Sequence, residues 1–215
     1  MSGNEPPDQS EPFVASKPVR LAIPLFPLGA VLCPGGLLPL KVFEQRYLDM
    51  VAACLKEQSA FGVCLIASGG EVGVPAAPQP VGTLAHIVEV DMPQLGIMLL
   101  KVRGGRRFRI ERHLPITASL QRATVLLLDE PPAQPVPPGH QGLVLLLRKI
   151  ADELGEQRLP APHAFDDASW VGYRLTEILP LQILARQKLL ALQDPLLRLR
   201  ALSIWLAQRV ANSEP

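Results

Sequence analysis

The feature that most constrains the fold is a change of hydrophobic period at a proline-rich segment, residues 129–139. This segment has five prolines in eleven residues, which favours a stiff, extended connection. Before it, short apolar runs are interrupted by glycine and proline, as in strands joined by turns. After it, leucines recur every three or four residues, as in packed helices. The chain is therefore expected to form a strand-rich lobe followed by a helical lobe.

The two patterns divide the chain into four regions. Residues 1–18 contain four prolines and few side chains to bury, and are expected to be a disordered tail. Residues 19–128 are expected to form a β-rich lobe with one helix over residues 44–58. Residues 129–139 form the proline-rich linker. Residues 140–211 have the periodicity of three or four helices and are expected to form a bundle.

Short strands joined by tight turns favour a small closed or nearly closed barrel for the first lobe. The glycine pair Gly104 and Gly105 is interpreted as one such turn. In the second lobe, a glycine stop and two aspartate caps predict helix boundaries at Gly155, at Asp166 or Asp167, and at Asp194 before Pro195. The fold class is therefore α+β, a barrel followed by a helical bundle.

Charge and cysteine content limit the partners and the compartment. The chain has 21 basic and 20 acidic residues, so no global field attracts it to nucleic acid or to an anionic membrane. Its three cysteines form no C-x-x-C pair, which disfavours disulfides and zinc and indicates a reducing compartment. There is no signal peptide, and the apolar stretches are too short to span a bilayer. We expect a cytoplasmic protein without membrane partners.

Motifs that carry catalysis are missing from the sequence. There is no P-loop, no G-x-S-x-G elbow and no H-E-x-x-H metal motif. The four histidines include no pair at the i, i+4 spacing that would place two ligands on one helix face. We therefore expect a non-enzymatic protein with no catalytic residues, no metal and no cofactor. A hydrolase with a cryptic site is the enzymatic alternative.

Arginines crowd residues 103–112, at Arg103, Arg106, Arg107, Arg109 and Arg112. One interpretation is a contact with phosphate or acidic peptide, since small barrels do bind RNA, usually with aromatic stacking positions. Here only Phe108 interleaves, on the strand face opposite Arg107 and Arg109. The simpler interpretation is a solvated strand face that protects a sheet edge. RNA binding through this strand stays open as an alternative function.

Several motifs, taken jointly and in order, resemble a known family. Residues 23–28 read IPLFPL, residues 31–40 read VLCPGGLLPL and residues 43–47 read FEQRY. This succession resembles the opening of the N-terminal, substrate-binding domain of Lon protease. Further matching segments are residues 61–66, 81–87, 105–110 and 188–195. The resemblance covers about residues 20–210, and Gln45 departs from it where free-standing relatives often have proline.

The resemblance implies a PUA-like β pseudo-barrel followed by a C-terminal helical bundle. In full-length Lon this domain precedes an AAA+ motor and a Ser-Lys peptidase, and it helps to capture substrate polypeptides. Because the chain stops after the bundle, we expect a free-standing bacterial member without ATPase or peptidase domains. The implied function is non-catalytic binding of unfolded or hydrophobic polypeptide, as an adaptor in protein quality control that serves a separate protease or chaperone.

Few residues of the matching motifs are candidates for a contact role. Arg46 and Tyr47, on the predicted helix, and Arg106 are the candidate polypeptide-binding residues. The structural alternative is that Arg46 pairs internally and that Tyr47 packs its ring while its hydroxyl finds a partner. A groove between barrel and bundle is the expected place for binding, because domain interfaces favour such grooves.

Overall fold

The computed structural model describes residues 18–70, 76–156 and 159–211. The predicted disordered tail lies outside the described residues, except for Pro18. The described strands are β1 (Arg20–Leu28), β2 (Leu37–Val42), β3 (Phe61–Ser68), β4 (Ala77–Pro78), β5 (Val81–Gln94), β6 (Ile97–His113) and β7 (Arg122–Leu127). The described helices are α1 (Gln45–Glu57), α2 (Gln141–Leu154), α3 (Ala168–Ile178), α4 (Ile183–Ala191) and α5 (Pro195–Ala211), with a 3-10 turn at Pro138–His140.

Five of these strands close a barrel. β1 pairs antiparallel with β7 and parallel with β3, and antiparallel pairs connect β7 to β6, β6 to β5 and β5 to β3. Closure gives each of the five strands a partner on both sides. The barrel core is apolar and includes the fully buried Leu25, Phe108 and Val125. The α+β class and the barrel expected from the sequence are confirmed.

Beyond the barrel, β5 and β6 continue as a long hairpin that turns at Leu95 and Gly96. β2 pairs antiparallel with the first half of β6, which makes a three-stranded extension in the order β2, β6, β5. α1 packs against this extension in one apolar cluster that includes Val51, Leu100 and Val102. The helix therefore covers one face of the extension close to the barrel.

The turn predicted at Gly104 and Gly105 is wrong, because both residues lie inside β6. Gly104 allows the backbone of β6 to approach the turn at residues 33–36 closely. Gly35 N–H, in the turn after Pro34, donates to Gly104 O at 2.7 Å, and Gly104 N–H donates back to the same turn at 2.9 Å. A Cβ on Gly104 would lie 2.1 Å from Cys33 O. Only glycine permits this contact.

The four C-terminal helices of the described chain share one apolar core, and their boundaries follow the local signals. Asp167 accepts a hydrogen bond from Ser169 N–H at 3.0 Å and caps α3. Asp194 accepts from Leu196 N–H at 2.8 Å at the start of α5. Gly155, with a φ of 69°, ends α2. These boundaries agree with the sequence prediction.

A buried arginine joins the two lobes. Arg107 of β6 is fully buried, and its guanidinium forms a bidentate ion pair with Glu130 of the linker, at 2.8 and 3.1 Å. It also donates to Leu190 O and Leu192 O, at 2.9 and 2.7 Å. These carbonyls lie at the C-terminal end of α4, where backbone acceptors lack helical partners and the helix dipole favours a cation.

Arg198 of α5 completes this cluster. Its Nε donates to Leu189 O at 3.0 Å, and its Nη2 donates to Leu192 O and to the hydroxyl of Tyr173. Its guanidinium lies 3.9 Å from the centroid of the Tyr173 ring. Burial raises the pKa of Tyr173, so the neutral hydroxyl donates to Glu130 at 3.3 Å. The barrel, the linker and three helices therefore meet in one polar network.

A second polar contact between the lobes centres on Glu177 of α3. Its carboxylate accepts from Cys33 N–H at 3.1 Å and pairs with Arg174 at 3.1 Å, and Arg174 donates to Pro34 O at 2.6 Å. A Cβ on Gly36 would lie 1.9 Å from Glu177 Oε1, so the glycine leaves room for the carboxylate. Burial raises the pKa of Glu177 to about 7, although the guanidinium groups nearby oppose this shift.

We expect Gly104→Ala to destabilise the protein, because its methyl group would lie 2.1 Å from a backbone oxygen. The expected loss in the free energy of unfolding is about 1–3 kcal/mol, as for other overpacked sites, measured by urea denaturation. Gly139→Ala is the matched control, since a Cβ there meets nothing within 4 Å. Equal effects of the two substitutions would contradict the close-approach explanation.

Glu177 gives stability a pH dependence of defined sign. Its pKa rises from an ordinary value of 4.5 to about 7 in the fold, so between these values the folded protein holds a proton that the unfolded chain releases. The free energy of unfolding must therefore fall as the pH rises through this window. Between about pH 5.5 and about pH 7.5, we expect this carboxyl group to contribute a fall of about 1–2 kcal/mol.

Glu177→Gln tests this dependence, because the amide oxygen can still accept from Cys33 N–H but does not titrate. Urea denaturation at the two pH values should show a smaller fall for this variant than for the wild type. Glu153→Gln, which changes an exposed residue of α2, should keep the wild-type fall. The assignment is wrong if Glu177→Gln and the wild type have the same pH profile.

Candidate functional site

The candidate residues Arg46 and Tyr47 lie together at the start of α1. Tyr47 is 6% exposed, and its ring stacks on Phe26 with centroids 4.1 Å apart. Arg46 lies over the Tyr47 ring, with Cζ 4.5 Å from the centroid, and pairs with Glu44 at 2.7 Å. It also donates to Ser119 O at 3.1 Å. Arg46 is therefore paired within the protein and the Tyr47 ring is packed, as the structural alternative describes for these two groups.

Arg106 lies apart from these two residues, on β6. Its guanidinium donates to Leu128 O and to the carboxylate of Asp129, at 3.3 Å in each case. Its contacts are therefore with the start of the linker, whereas those of Arg46 are around α1. Among the described residues, Arg106 shares none of these contact partners with the other two candidates, and a binding role for each of the three stays a prediction.

The arginine-rich stretch does not form one basic face. Arg107 is fully buried under the helical lobe, so its interpretation as part of a solvated strand face is wrong. Phe108 is also buried, in the barrel core, because both faces of β6 are covered at this point. Arg106 pairs with an acid of the linker. This arrangement does not favour the RNA-binding alternative.

The β5–β6 hairpin exposes several apolar side chains. They are Val88, Val90, Met92, Leu95 and Leu99, with exposed fractions of 44%, 45%, 55%, 96% and 41%. We call Val88, Val90, Met92 and Leu95 the hairpin surface. Leu99 is left out because the register places it opposite Asp91, on the other face of the sheet from Val90. Grouped exposed apolar side chains mark interaction sites, whereas apolar side chains exposed singly are a normal feature of protein surfaces.

The same hairpin has backbone groups without a strand partner. β3 pairs with β5 at residues 83–85, whereas the pairs of β5 farther along the strand are with β6. Within the described residues, the outer edge of β5 over residues 88–94 therefore pairs with no other strand. Such an edge is a template to which an extended polypeptide can add as a further strand.

An apolar groove lies on the same face of the three-stranded extension as Val90. The register places Val90 opposite Leu100, and Leu100 opposite Leu40 of β2, so the three side chains share one face. Leu40 lines a groove of about 250 Å³ whose lining also includes Phe43 and Tyr47. We call it the Tyr47 groove. Phe43 is 55% exposed at this groove, which leaves apolar surface open to a ligand.

A larger groove of about 690 Å³ lies between barrel and bundle, where the sequence predicted one. We call it the interlobe groove. Its apolar walls come from both lobes and include Val31, Leu37, Pro39, Leu154, Leu159 and Ile178. Its charged lining consists of Lys101, Arg174, Glu177 and Arg186. The groove therefore combines hydrocarbon walls with a small cationic cluster.

Two arginines that line the interlobe groove each have a buried Nε without an acceptor among the described residues. Arg174 is 5% exposed, and its Nη atoms contact Glu177 and Pro34, but its buried Nε has no partner among the described residues. Arg186 donates through Nη2 to Leu179 O at 3.0 Å, and its buried Nε also has no partner in the described part of the chain. An unsatisfied buried donor of this kind carries a desolvation cost.

The cysteines are poor candidates for nucleophiles. Burial raises the pKa of Cys33 and Cys54, and it raises the pKa of Cys64 to about 12, so the thiols stay protonated near neutral pH. Among the described residues, no group of three or more histidine, cysteine, aspartate or glutamate side chains could hold a metal ion. No described helix is long and apolar enough to cross a membrane.

Sequence reasoning missed the hairpin surface, which lies on the outer part of β5, a strand that continues to Gln94, and on the turn at Leu95. The available signal was the alternation of Val88, Val90 and Met92 with acidic residues. That alternation predicts a strand with one apolar face. It does not say whether another element covers this face.

Comparison with known proteins agrees with this architecture. The chain matches the family model of the ATP-dependent protease La (LON) substrate-binding domain over residues 22–208. It is similar to the crystal structure of a Lon N-terminal domain protein from Xanthomonas campestris, with a TM-score of 0.73 and 36% identity, over 86% of this chain and 98% of that chain. No curated protein matches the chain.

A second solved structure shows the same fold at lower identity. It is the N-terminal domain of the Mycobacterium avium complex Lon protease, with a TM-score of 0.58 and 18% identity, over 87% of this chain and 98% of that chain. The family match spans the barrel, the linker and all but the last residues of the described bundle. The resemblance seen in the sequence motifs is confirmed: the chain belongs to the Lon substrate-binding domain family.

Proposed function

We propose that this protein is a non-catalytic module that binds unfolded or apolar segments of polypeptide. Its family is named for substrate binding in an ATP-dependent protease, and the substrates of a protease are polypeptides. The observation that carries the proposal is the hairpin surface, which places four exposed apolar side chains beside an unpaired strand edge. These are the two features that an extended apolar segment can use together.

The binding mode combines backbone pairing with side-chain burial. A segment that adds to β5 pairs its N–H and C=O groups with the free edge of residues 88–94, and alternate side chains contact Val90 and Met92. Another apolar side chain can enter the Tyr47 groove beside Phe43. Each fully buried aliphatic side chain contributes about 1.5–3 kcal/mol, from which the cost of ordering the segment is subtracted. This mode requires no nucleotide.

The candidate residues Arg46 and Tyr47 contribute through the shape of the Tyr47 groove. Tyr47 lines the groove, and Arg46 holds one side of the tyrosine ring. In this proposal they position apolar surface for the bound segment, which fits their intramolecular contacts. Arg106 is a separate candidate contact near the linker.

The proposal extends to a role as a proteolysis adaptor in the cytoplasm, which passes a bound polypeptide to a separate protease or chaperone. The support is the family itself, in which substrate binding serves an ATP-dependent protease. An adaptor of this kind needs to hold its client weakly enough to release it. A shallow edge and a groove of about 250 Å³ suit such binding better than an enclosed cavity would.

We expect the double substitution Val90→Asp with Met92→Asp to weaken polypeptide binding by about tenfold or more, because it replaces apolar contacts by charges that must be desolvated. The measurement is fluorescence anisotropy with a labelled, permanently unfolded polypeptide, without nucleotide, at low and high salt. Both side chains are about half exposed, so the fold should tolerate the change.

Leu145→Asp is the matched control, since Leu145 is 68% exposed on α2 and lies away from the hairpin. It should bind the polypeptide like the wild type. A labelled RNA of matched size should not compete at high salt, because phosphate contacts weaken steeply with salt. Unchanged polypeptide binding by the double variant would remove the hairpin surface from the proposal.

A further inference from the structure

We propose that the interlobe groove binds the free C-terminal carboxylate of a polypeptide whose last residue is apolar. This inference rests on the proposed function and adds a chemically defined subsite to it. It is carried by apolar walls from both lobes and by a charged lining in which two guanidinium groups, those of Arg174 and Arg186, are accompanied by one acid, Glu177.

The charge of the groove calls for an anion. Arg174 and Arg186 carry two positive charges, and Glu177 is the single acid in the described lining. Both oxygens of Glu177 are already engaged within the protein. Lys101 pairs with Glu89 at 2.7 Å. One positive charge therefore stays uncompensated in a partly buried place, and one carboxylate of a ligand would neutralise it through charge-assisted hydrogen bonds.

Partial protonation of Glu177 increases the uncompensated positive charge of the groove. Burial raises the pKa of Glu177 to about 7, so near neutral pH this acid neutralises the neighbouring guanidinium groups only in part. Competition between Glu177 and an incoming carboxylate is limited for the same reason, since a protonated acid does not repel an anion. The groove is therefore more receptive to a carboxylate than its count of charged residues suggests.

The walls favour a chain terminus over an internal acidic residue. An α-carboxylate on an apolar residue places a charge and a hydrocarbon side chain on one carbon, which matches guanidinium groups set among Val31, Leu37 and Ile178. An internal aspartate or glutamate would bring in two flanking peptide groups that need their own hydrogen-bond partners. The groove volume of about 690 Å³ lies within the range of ligand sites that bury most of their occupant.

The test uses two peptides with an N-terminal fluorescein and identical sequences that end in leucine, one with a free carboxylate and one with a carboxamide. In anisotropy titrations the wild type should bind the acid about tenfold more tightly than the amide, because only the acid supplies the anionic acceptor. Arg186→Gln should lower this ratio to about one, because the acid peptide then loses its additional charge-assisted contact.

Two controls make the comparison specific. Arg200→Gln removes the same charge from an exposed position of α5 and should keep the wild-type ratio. An amidated peptide with an internal aspartate should bind like the plain amide; if it binds like the acid, the preference for a chain terminus is wrong. With the wild type alone, N-acetyl-leucine should displace the acid peptide, and N-acetyl-leucinamide should not.

Equal binding of acid and amide by the wild type, or binding of neither, would overturn the proposal. An unchanged preference for the acid peptide in Arg186→Gln would also overturn it, provided that thermal unfolding shows this variant to be folded.

This failure is distinguishable from failure of the proposed function. If acid and amide bind equally and the hairpin variant still loses the unfolded polypeptide, only the carboxylate subsite is wrong. If the acid is preferred and the hairpin variant binds normally, only the hairpin assignment is wrong.

Discussion

The position of the two lobes depends on one set of acceptors, the carbonyl oxygens at the C-terminal end of α4. Arg107 of the barrel and Arg198 of the bundle converge on these oxygens, and Glu130 and the Tyr173 hydroxyl accept further hydrogen bonds from them. A guanidinium can do this because it presents five donors in one plane, whereas lysine presents three from a single point. Loss of Arg107 would leave Leu190 O, and loss of Arg198 would leave Leu189 O, without its side-chain donor. An unsatisfied buried carbonyl of this kind costs about 1–3 kcal/mol.

Once the lobes are fixed in this way, β2 becomes a wall shared by two grooves. Leu38 and Pro39 line both the Tyr47 groove and the interlobe groove. A polypeptide whose apolar segment lies on the hairpin surface can therefore have its C-terminus close to the cationic cluster. Two weak contacts on one chain bind more tightly than either alone, because the second contact forms at a high effective concentration. The polar network between the lobes keeps the hairpin surface and the interlobe groove at a constant spacing.

The sequence predicted those parts of the fold that local chemistry decides. Asp167 and Asp194 cap helices because their carboxylates accept from nearby N–H groups, and such signals can be seen in a few residues.

Tertiary packing decides the rest. Strand alternation correctly placed Arg107 and Phe108 on opposite faces of β6, but whether the Arg107 face is exposed depends on how the helical lobe packs against it. The turn predicted at Gly104 failed for the same reason, since its contact comes from a segment about seventy residues earlier. The candidate site was harder to predict than the fold. Tertiary packing alone decides that the hairpin is exposed and that Arg174 and Arg186 line one groove.

An exposed apolar strand edge is also a risk for self-association, and the sequence of β5 limits that risk. Glu89 and Asp91 alternate with the apolar side chains, and Pro93 follows near the end of the strand. When two copies pair along this edge, acidic side chains of both strands come close, and like charges opposite each other are destabilising. A foreign segment rich in apolar or basic residues meets no such repulsion. The charge pattern therefore disfavours a second copy of this chain and leaves the edge open to an unrelated polypeptide, as a binding module requires.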